Sequence, residues 1–293
     1  MANGNGTFFT DCRFLSEDHL PQLYEAFSQA FSDYVIPFAL TKEQFRNHIS
    51  LNGVDLQRTV GCFDGERIIG FWLNGFGDWN GKPTVYDAGT GVVPERRRQG
   101  LSKTMFDVLL RTFAVNGIEQ FLLEVVTTNA AAVELYRNLD FRPVRELALL
   151  QCDGDLKTDA PIPADIEICE ISEPDWGHLC SFADGQPSWQ NSVPAIRRSL
   201  VMKRILGAFF DESCVGYVAF SSRFGRLAQI AFDENYRNRG VGTALLRQMQ
   251  ENTAEGFSMQ AINIDRSLDY AFRFFLNRGF YERLRQHEMI RAM

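Results

Sequence analysis

The chain has 293 residues, 45% of them hydrophobic and 23% charged, with a formal net charge of −7. This is the make-up of a globular protein long enough for one large domain or two of ordinary size. The acidic balance argues against a nucleic-acid partner, because such binding rests on Lys and Arg neutralising phosphates.

No apolar run approaches the roughly 18 residues that span a bilayer, so no membrane partner is expected. Residues 1–10 are rich in Gly and Asn, without the basic start and apolar stretch of a signal peptide. The six cysteines (Cys12, Cys62, Cys152, Cys169, Cys180 and Cys214) lie far apart, and no pair has C-x-x-C spacing. They are expected to be reduced thiols of a cytoplasmic protein that holds no metal.

Taken in chain order, Ser16, Glu17 and Asp18 read as a helix start. A strand-like run from Tyr86 to Val93 carries Asp87 and leads into Pro94, Glu95, Arg96, Arg97, Arg98, Gln99, Gly100, Leu101 and Ser102. After Gly100, Leu101, Met105 and Leu109 recur at helical spacing, and Phe106 and Phe113 widen the stripe. Residues 121–126 read as a strand with Glu124 inside it, a charge in an apolar run that needs a partner or a job. Thr127, Thr128 and Asn129 look like the N-terminus of a helix bearing Ala132, Tyr136 and Leu139 on one face. Residues 151–164 are polar, proline-punctuated and aperiodic. Beyond them Ile166, Glu167 and Ile168 alternate like a strand, and Ser172 to Trp176 reads as another helix start.

The second half then repeats the first. Residues 232–242 match residues 92–102, each placing an Arg three residues before a Gly, and Val241, Leu245 and Met249 form the following stripe. Residues 271–280 match residues 132–141 at nearly the same spacing. The chain is therefore a tandem duplication: an N-terminal domain 1–152, a linker 153–164 and a C-terminal domain 165–293. Each half reads as mixed α/β.

The Arg/Gly turn suits a diphosphate. Glycine lets the backbone approach a ligand closely, and the first amides of the following helix point outward with the positive end of its dipole. Gly100 and Gly240 would equally serve to tighten a strand-to-helix turn.

These two segments resemble motifs A and B of the GNAT superfamily of acyltransferases. The first copy matches the motif B pattern with Asn129, Ala132, Leu135, Tyr136 and Phe141, departing only at Asp140, where the family has Gly. The resemblance implies two GNAT folds, each a mostly antiparallel sheet flanked by helices and splayed to form an acetyl-CoA groove. It implies acetyl-CoA as co-substrate, held by Val92, Val93, Arg97, Arg98, Gln99, Gly100, Leu101, Ser102 and Asn129, although Asn129 also fits as a helix cap. Transfer to a primary amine of a small molecule or peptide is the expected activity. Tyr136 is then the general acid for the departing thiolate, or else a core aromatic. Glu124 is the first candidate for the base that neutralises the amine, whose ordinary pKa is about 10.4, with Asp87 second; either fits equally as a structural partner.

The second copy has Phe275 at the position of Tyr136 and Leu268 at that of Asn129. Its turn (Arg237, Asn238, Arg239, Gly240, Val241, Gly242) is the less expected cofactor site, and the copy is expected to be degenerate. In the resembled family the early helices build the acceptor pocket. Here they offer Phe27, Phe31, Ser32, Asp33, Tyr34, Val35 and Ile36 in the first copy, and an exposed-looking Trp189, Gln190 and Asn191 in the second. A non-catalytic protein binding acyl-CoA or a metabolite, or catalysis in the C-terminal domain, are the alternatives. A monomer with a dimer-like arrangement of its halves and a homo-oligomer are both open.

Overall fold

The computed structural model describes residues 11–36, 39–157, 163–199 and 203–293. The chain divides into two compact units: residues 1–142 with 289–293, and residues 143–288. The expected halves assign 143–152 and 289–293 the other way. Packing explains the difference: Ala148, Leu150 and Cys152 are buried in the core of the second unit, and Met289 is buried in that of the first.

The first unit contains β1 (Asp11–Phe14), α1 (Leu20–Ala30), α2 (Lys42–Asn52), β2 (Val60–Asp64), β3 (Arg67–Trp79) and β4 (Lys82–Val92). It continues with α3 (Leu101–Phe113), β5 (Gln120–Val126) and α4 (Ala130–Asn138). Strands β1 to β4 pair antiparallel in sequence order, and β4 pairs with β5 in parallel. Local chemistry sets the connections. The β3–β4 hairpin turns on Asn80 and Gly81, both at positive φ (57° and 73°), as the twist of a two-residue turn requires. Helix α2 starts at Thr41, whose side chain accepts from Gln44 N in a reciprocal capping box, and ends at Gly53 in the left-handed region. Phenylalanines dominate the core between β4, β5, α3 and α4: Phe106, Phe121 and Phe141 are buried with Trp72 and Tyr136.

Cys12 and Cys62 stand directly opposite each other on β1 and β2 and are joined as a disulfide. This corrects the expectation of six reduced thiols. Strand register, which cysteine spacing does not reveal, brings the two together.

The second unit runs through β6 (Arg142–Cys152), β7 (Glu167–Glu170), α5 (Trp176–Cys180), α6 (Val193–Arg198), β8 (Arg204–Phe210), β9 (Ser213–Ser221) and β10 (Arg226–Phe232). It continues with α7 (Val241–Glu251), β11 (Met259–Asp265), α8 (Asp269–Leu276) and most of β12 (Tyr281–Ala292). Its strand order is β12-β6-β11-β10-β9-β8-β7, with β10 and β11 the parallel pair. Arg145 on β6 is buried against Glu288 on β12 and Asp265 on β11, with its charge held by both carboxylates. The start of the expected linker is tied to this unit, since Asp153 accepts from Tyr281 and Ser258. Residues 158–162 of the linker, like residues 1–10, lie outside the described residues.

Candidate active site

In the first unit β4 and β5 are paired only from Thr84↔Gln120 to Asp87↔Leu123. There β4 bulges: Leu73 and Asn74 of β3 face Gly89 and Asp87, leaving Ala88 as the extra residue. His48 on α2 pins the bulge through Nε2, 2.7 Å from the Ala88 carbonyl. The Asn52 amide donates to His48 Nδ1 at 3.2 Å, which assigns the ring proton to Nε2. The second unit repeats the device, with pairing that ends at Leu227↔Ala261 and a bulge at Ala228.

The Arg/Gly turn follows. A short helical turn, Pro94–Arg96, leads to Arg98 (φ 61°) and Gly100 (φ 77°), and α3 begins with no side chain capping it. A Cβ on Gly100 would meet nothing within 4 Å. The glycine is thus required by its backbone and not by crowding, and no side chain caps the amides of the first helical turn. Val93 and Leu101 are buried, and the Val93 amide and carbonyl are already paired with Ile69 and Arg96, whereas Arg98, Gln99 and Gly100 are exposed. Val92 pairs with Gly70 of β3, and Ser102 is half-buried on α3. Arg97 bends back from the turn. It grips Asp33 through two hydrogen bonds of 2.7 Å and donates to the Ala30 carbonyl at 2.9 Å.

At the point where β4 and β5 part, three polar side chains and a backbone amide converge. Tyr136 on α4 donates to Asp87 Oδ2 at 2.9 Å, and Thr90 donates to the same oxygen at 2.8 Å. The Gly89 amide donates to Oδ1 at 2.9 Å. Burial pushes the Asp87 pKa up to about 6, opposed by these three donors. Burial, and then the charge of Asp87, hold the Tyr136 phenol protonated well above its ordinary range. Asn129 caps α4 by accepting from Ala132 N at 3.2 Å, and its side chain also hydrogen-bonds Tyr34, whose pKa is raised chiefly by burial.

Glu124 lies on the other face of the sheet. Val85, Phe121, Leu123 and Val125 pack with Tyr136 under α3 and α4, so the alternate residues Tyr86 and Glu124 point toward α1 and α2. There Tyr86 donates to Glu124 at 3.1 Å, and Glu124 is half-buried.

Of the expected acceptor-pocket residues, Phe27 is core, packed on Phe31, Phe45 and Phe71. The Asp33 carboxylate is taken by Arg97. Thr90 and His48 were not singled out by sequence reasoning. For Thr90 a signal existed, because an Asp with Gly two residues on and Thr three residues on is turn chemistry.

In the second unit Asn238 (φ 60°) and Gly240 (φ 88°) reproduce the turn, and Arg237 binds Asp184. Val241 and Gly242 are buried, and a Cβ on Gly242 would lie 2.7 Å from both Phe232 and Phe274. Arg239 lies over the Tyr236 ring. The segment expected to be exposed is not: Trp189 and Asn191 are both 3% accessible. Asn191 is drawn in by its amide, which donates to the Ile262 carbonyl at 2.6 Å. It lines a cleft that begins where β10 and β11 part.

Two family models match the chain: the acetyltransferase (GNAT) family over residues 15–141 and an acetyltransferase (GNAT) domain over residues 203–284. The [ribosomal protein bS18]-alanine N-acetyltransferase of Escherichia coli K12 is 32% identical over 96 residues, 29% of this chain and 62% of that relative. A GCN5-related N-acetyltransferase from Sphaerobacter thermophilus superposes with a TM-score of 0.72 at 15% identity, over 97% of this chain and 95% of that one. A tandem GNAT protein from the clavulanic acid biosynthesis pathway gives 0.74 at 13% identity, over 97% and 98%. With a parallel strand pair that parts at a bulge in each copy, two Arg/Gly turns and a family match over each copy, the chain belongs to the GNAT acetyltransferase family as a tandem, two-domain member.

Proposed function

We propose that the first copy transfers an acetyl group from acetyl-CoA to a primary amine, and that the two faces of its sheet divide the proton chemistry. The observation that carries this reading is the placement of Tyr136 and Glu124 on opposite sides of the opening between β4 and β5. Acetyl-CoA supplies the acetyl group as an activated thioester. The residues fit it: α3 has an uncapped N-terminus, and the space above Gly100 is open to a diphosphate. Glu124, half-buried on the α1/α2 face, takes a proton from the acceptor ammonium. Tyr136 holds a proton on the other face for the departing sulfur, kept in place by Asp87 and by burial. Asp87 already accepts from three donors, which suits it to position Tyr136 and leaves the base role to Glu124. The alanine specificity of the Escherichia coli relative makes a peptide N-terminus the first acceptor to try, with small amines next.

Steady-state acetylation of an Ala-initiated peptide and a small-amine panel tests this reading. Tyr136→Phe and Glu124→Gln should each lower kcat by about 10²-fold or more at unchanged melting temperature. Full activity in both variants would overturn it. The chain would then be a non-catalytic binder or would work through its second copy.

A further inference from the structure

The cleft of the second unit is lined largely by apolar side chains. It occupies the place that holds Tyr34, Asp87, Asn129 and Tyr136 in the first copy. Structure fixes the equivalences. Asp33 and Asp184 both bind the turn arginine, so Tyr34 corresponds to Gly185. Asp87 and Leu227 are each the last parallel-paired residue before the bulge. Asn129 and Leu268 precede their helices with the same backbone (φ −84°, ψ 73° and φ −84°, ψ 72°). Tyr136 and Phe275 both accept, through their carbonyls, from the phenylalanine that ends the motif. Four polar or hydroxyl-bearing residues have thus become Gly185, Leu227, Leu268 and Phe275, and all four line the cleft.

The exchange is coordinated. Gly185 leaves out the side chain that Tyr34 carries, and the three atoms nearest a Cβ there all belong to Leu268, the closest at 2.9 Å. Most polar groups at the border are engaged, although the buried Arg237 Nε and Asn191 Oδ1 make no hydrogen bond to the described residues. Arg237 binds Asp184, Gln229 bridges Tyr217 and the Asn191 carbonyl, and Asp265 holds Arg145. Burying a charged acyl group here would require drawing Arg237 away from Asp184, whereas a hydrocarbon chain requires no partner. The phosphate seat survives in Gly240 at the uncapped start of α7, beside a groove lined by Asn238, Arg273 and Arg278.

We propose that the second copy binds, without turnover, a CoA thioester whose acyl group is an uncharged aliphatic chain longer than acetyl. The chain lies against Leu227, Leu268 and Phe275 in the space left by Gly185. Phe275 has no proton to give a departing sulfur, so the bound thioester stays intact. The proposal stands on the second unit alone and is independent of which amine the first copy acetylates.

Calorimetric titration of the full-length protein with acetyl-CoA and with octanoyl-CoA, with amide hydrogen exchange to locate each, tests it. Octanoyl-CoA should bind roughly tenfold tighter or better and should protect residues 182–191 and 227–232. Gly185→Tyr with Leu268→Asn, which restores the first-copy pair, should remove that preference. Ala271→Phe, which fills the cleft from α8, should do the same and serves if the double variant fails to fold. Equal or weaker binding of octanoyl-CoA, protection confined to the first copy, or a preference that survives a folded cleft-filling variant would each overturn the proposal.

Discussion

The guanidinium of Arg97 holds both carboxylate oxygens of Asp33 at 2.7 Å, and Arg237 and Asp184 form the matching pair in the second copy. The ion pair keeps the Asp33 carboxyl below the usual carboxylate range and ties the turn to the segment that carries Tyr34. It also occupies the arginine that a diphosphate would attract.

Both partners are largely exposed, so solvent screens the pair and its net contribution is small. A diphosphate can therefore displace Asp33 at little cost. Asp33→Asn should lower the acetyl-CoA KM by up to about fivefold at low salt, while Arg97→Ala raises it. A KM that rises in both variants would show that Asp33 orients Arg97 and does not compete for it.

The two turn glycines separate ligand binding from packing. Gly100 faces open space, so Gly100→Val should act mainly on the acetyl-CoA KM, with a backbone penalty of about 1–2 kcal/mol from its positive φ. Gly242 is buried between Phe232 and Phe274, so Gly242→Val should instead destabilise the second unit by about 1–3 kcal/mol. Calorimetric melting beside KM measurement distinguishes them. A Gly100 variant that melts early with an unchanged KM would remove the phosphate role from this turn.

These contrasts mark how far sequence reaches. Motif spacing located both turns, because a left-handed residue at Gly100 and Gly240 is a local demand that leaves a local trace. The correspondence of Tyr136 with Phe275 and of Asn129 with Leu268 was legible for the same reason. The Asp33–Arg97 pair joins residues 64 apart in the chain, and His48 reaches Ala88 across 40. Their pairing depends on how α1 and α2 settle on β4, which no short motif encodes. The strand segments 143–152 and 289–293 were assigned by sequence order, but apolar packing assigns them otherwise. Cys12 and Cys62 likewise meet through register.

That disulfide gives a direct chemical count. Of the six cysteines, Cys152, Cys169, Cys180 and Cys214 are free. Thiol titration of the denatured, unreduced protein should find four groups, rising to six after reduction. The link closes a loop of 50 residues, which the chain-entropy account values at about 4 kcal/mol, so Cys12→Ser with Cys62→Ser should melt at lower temperature. Six thiols without reduction would mean that the pair stays open in solution.

Asp87 makes stability depend on pH in a sign that can be worked out. Its folded pKa is raised from 3.8 to about 6, so the folded state favours the protonated carboxyl. The stability this contributes is fully present below the unfolded value and is lost as pH rises through about 6. Asparagine has no proton to lose and can still accept from Tyr136 and Thr90. Asp87→Asn should therefore gain on the wild type as pH rises from about 4 to 7, by up to about 3 kcal/mol, read from denaturant midpoints at each pH. Its kcat should fall even so, because Tyr136 loses the charge that holds its phenol protonated and in position. A difference between the two proteins that is flat with pH would show that Asp87 is ionised throughout, held by its donors more strongly than burial opposes it. The proton positioned at the mouth of the β4–β5 opening would then belong to Tyr136 alone.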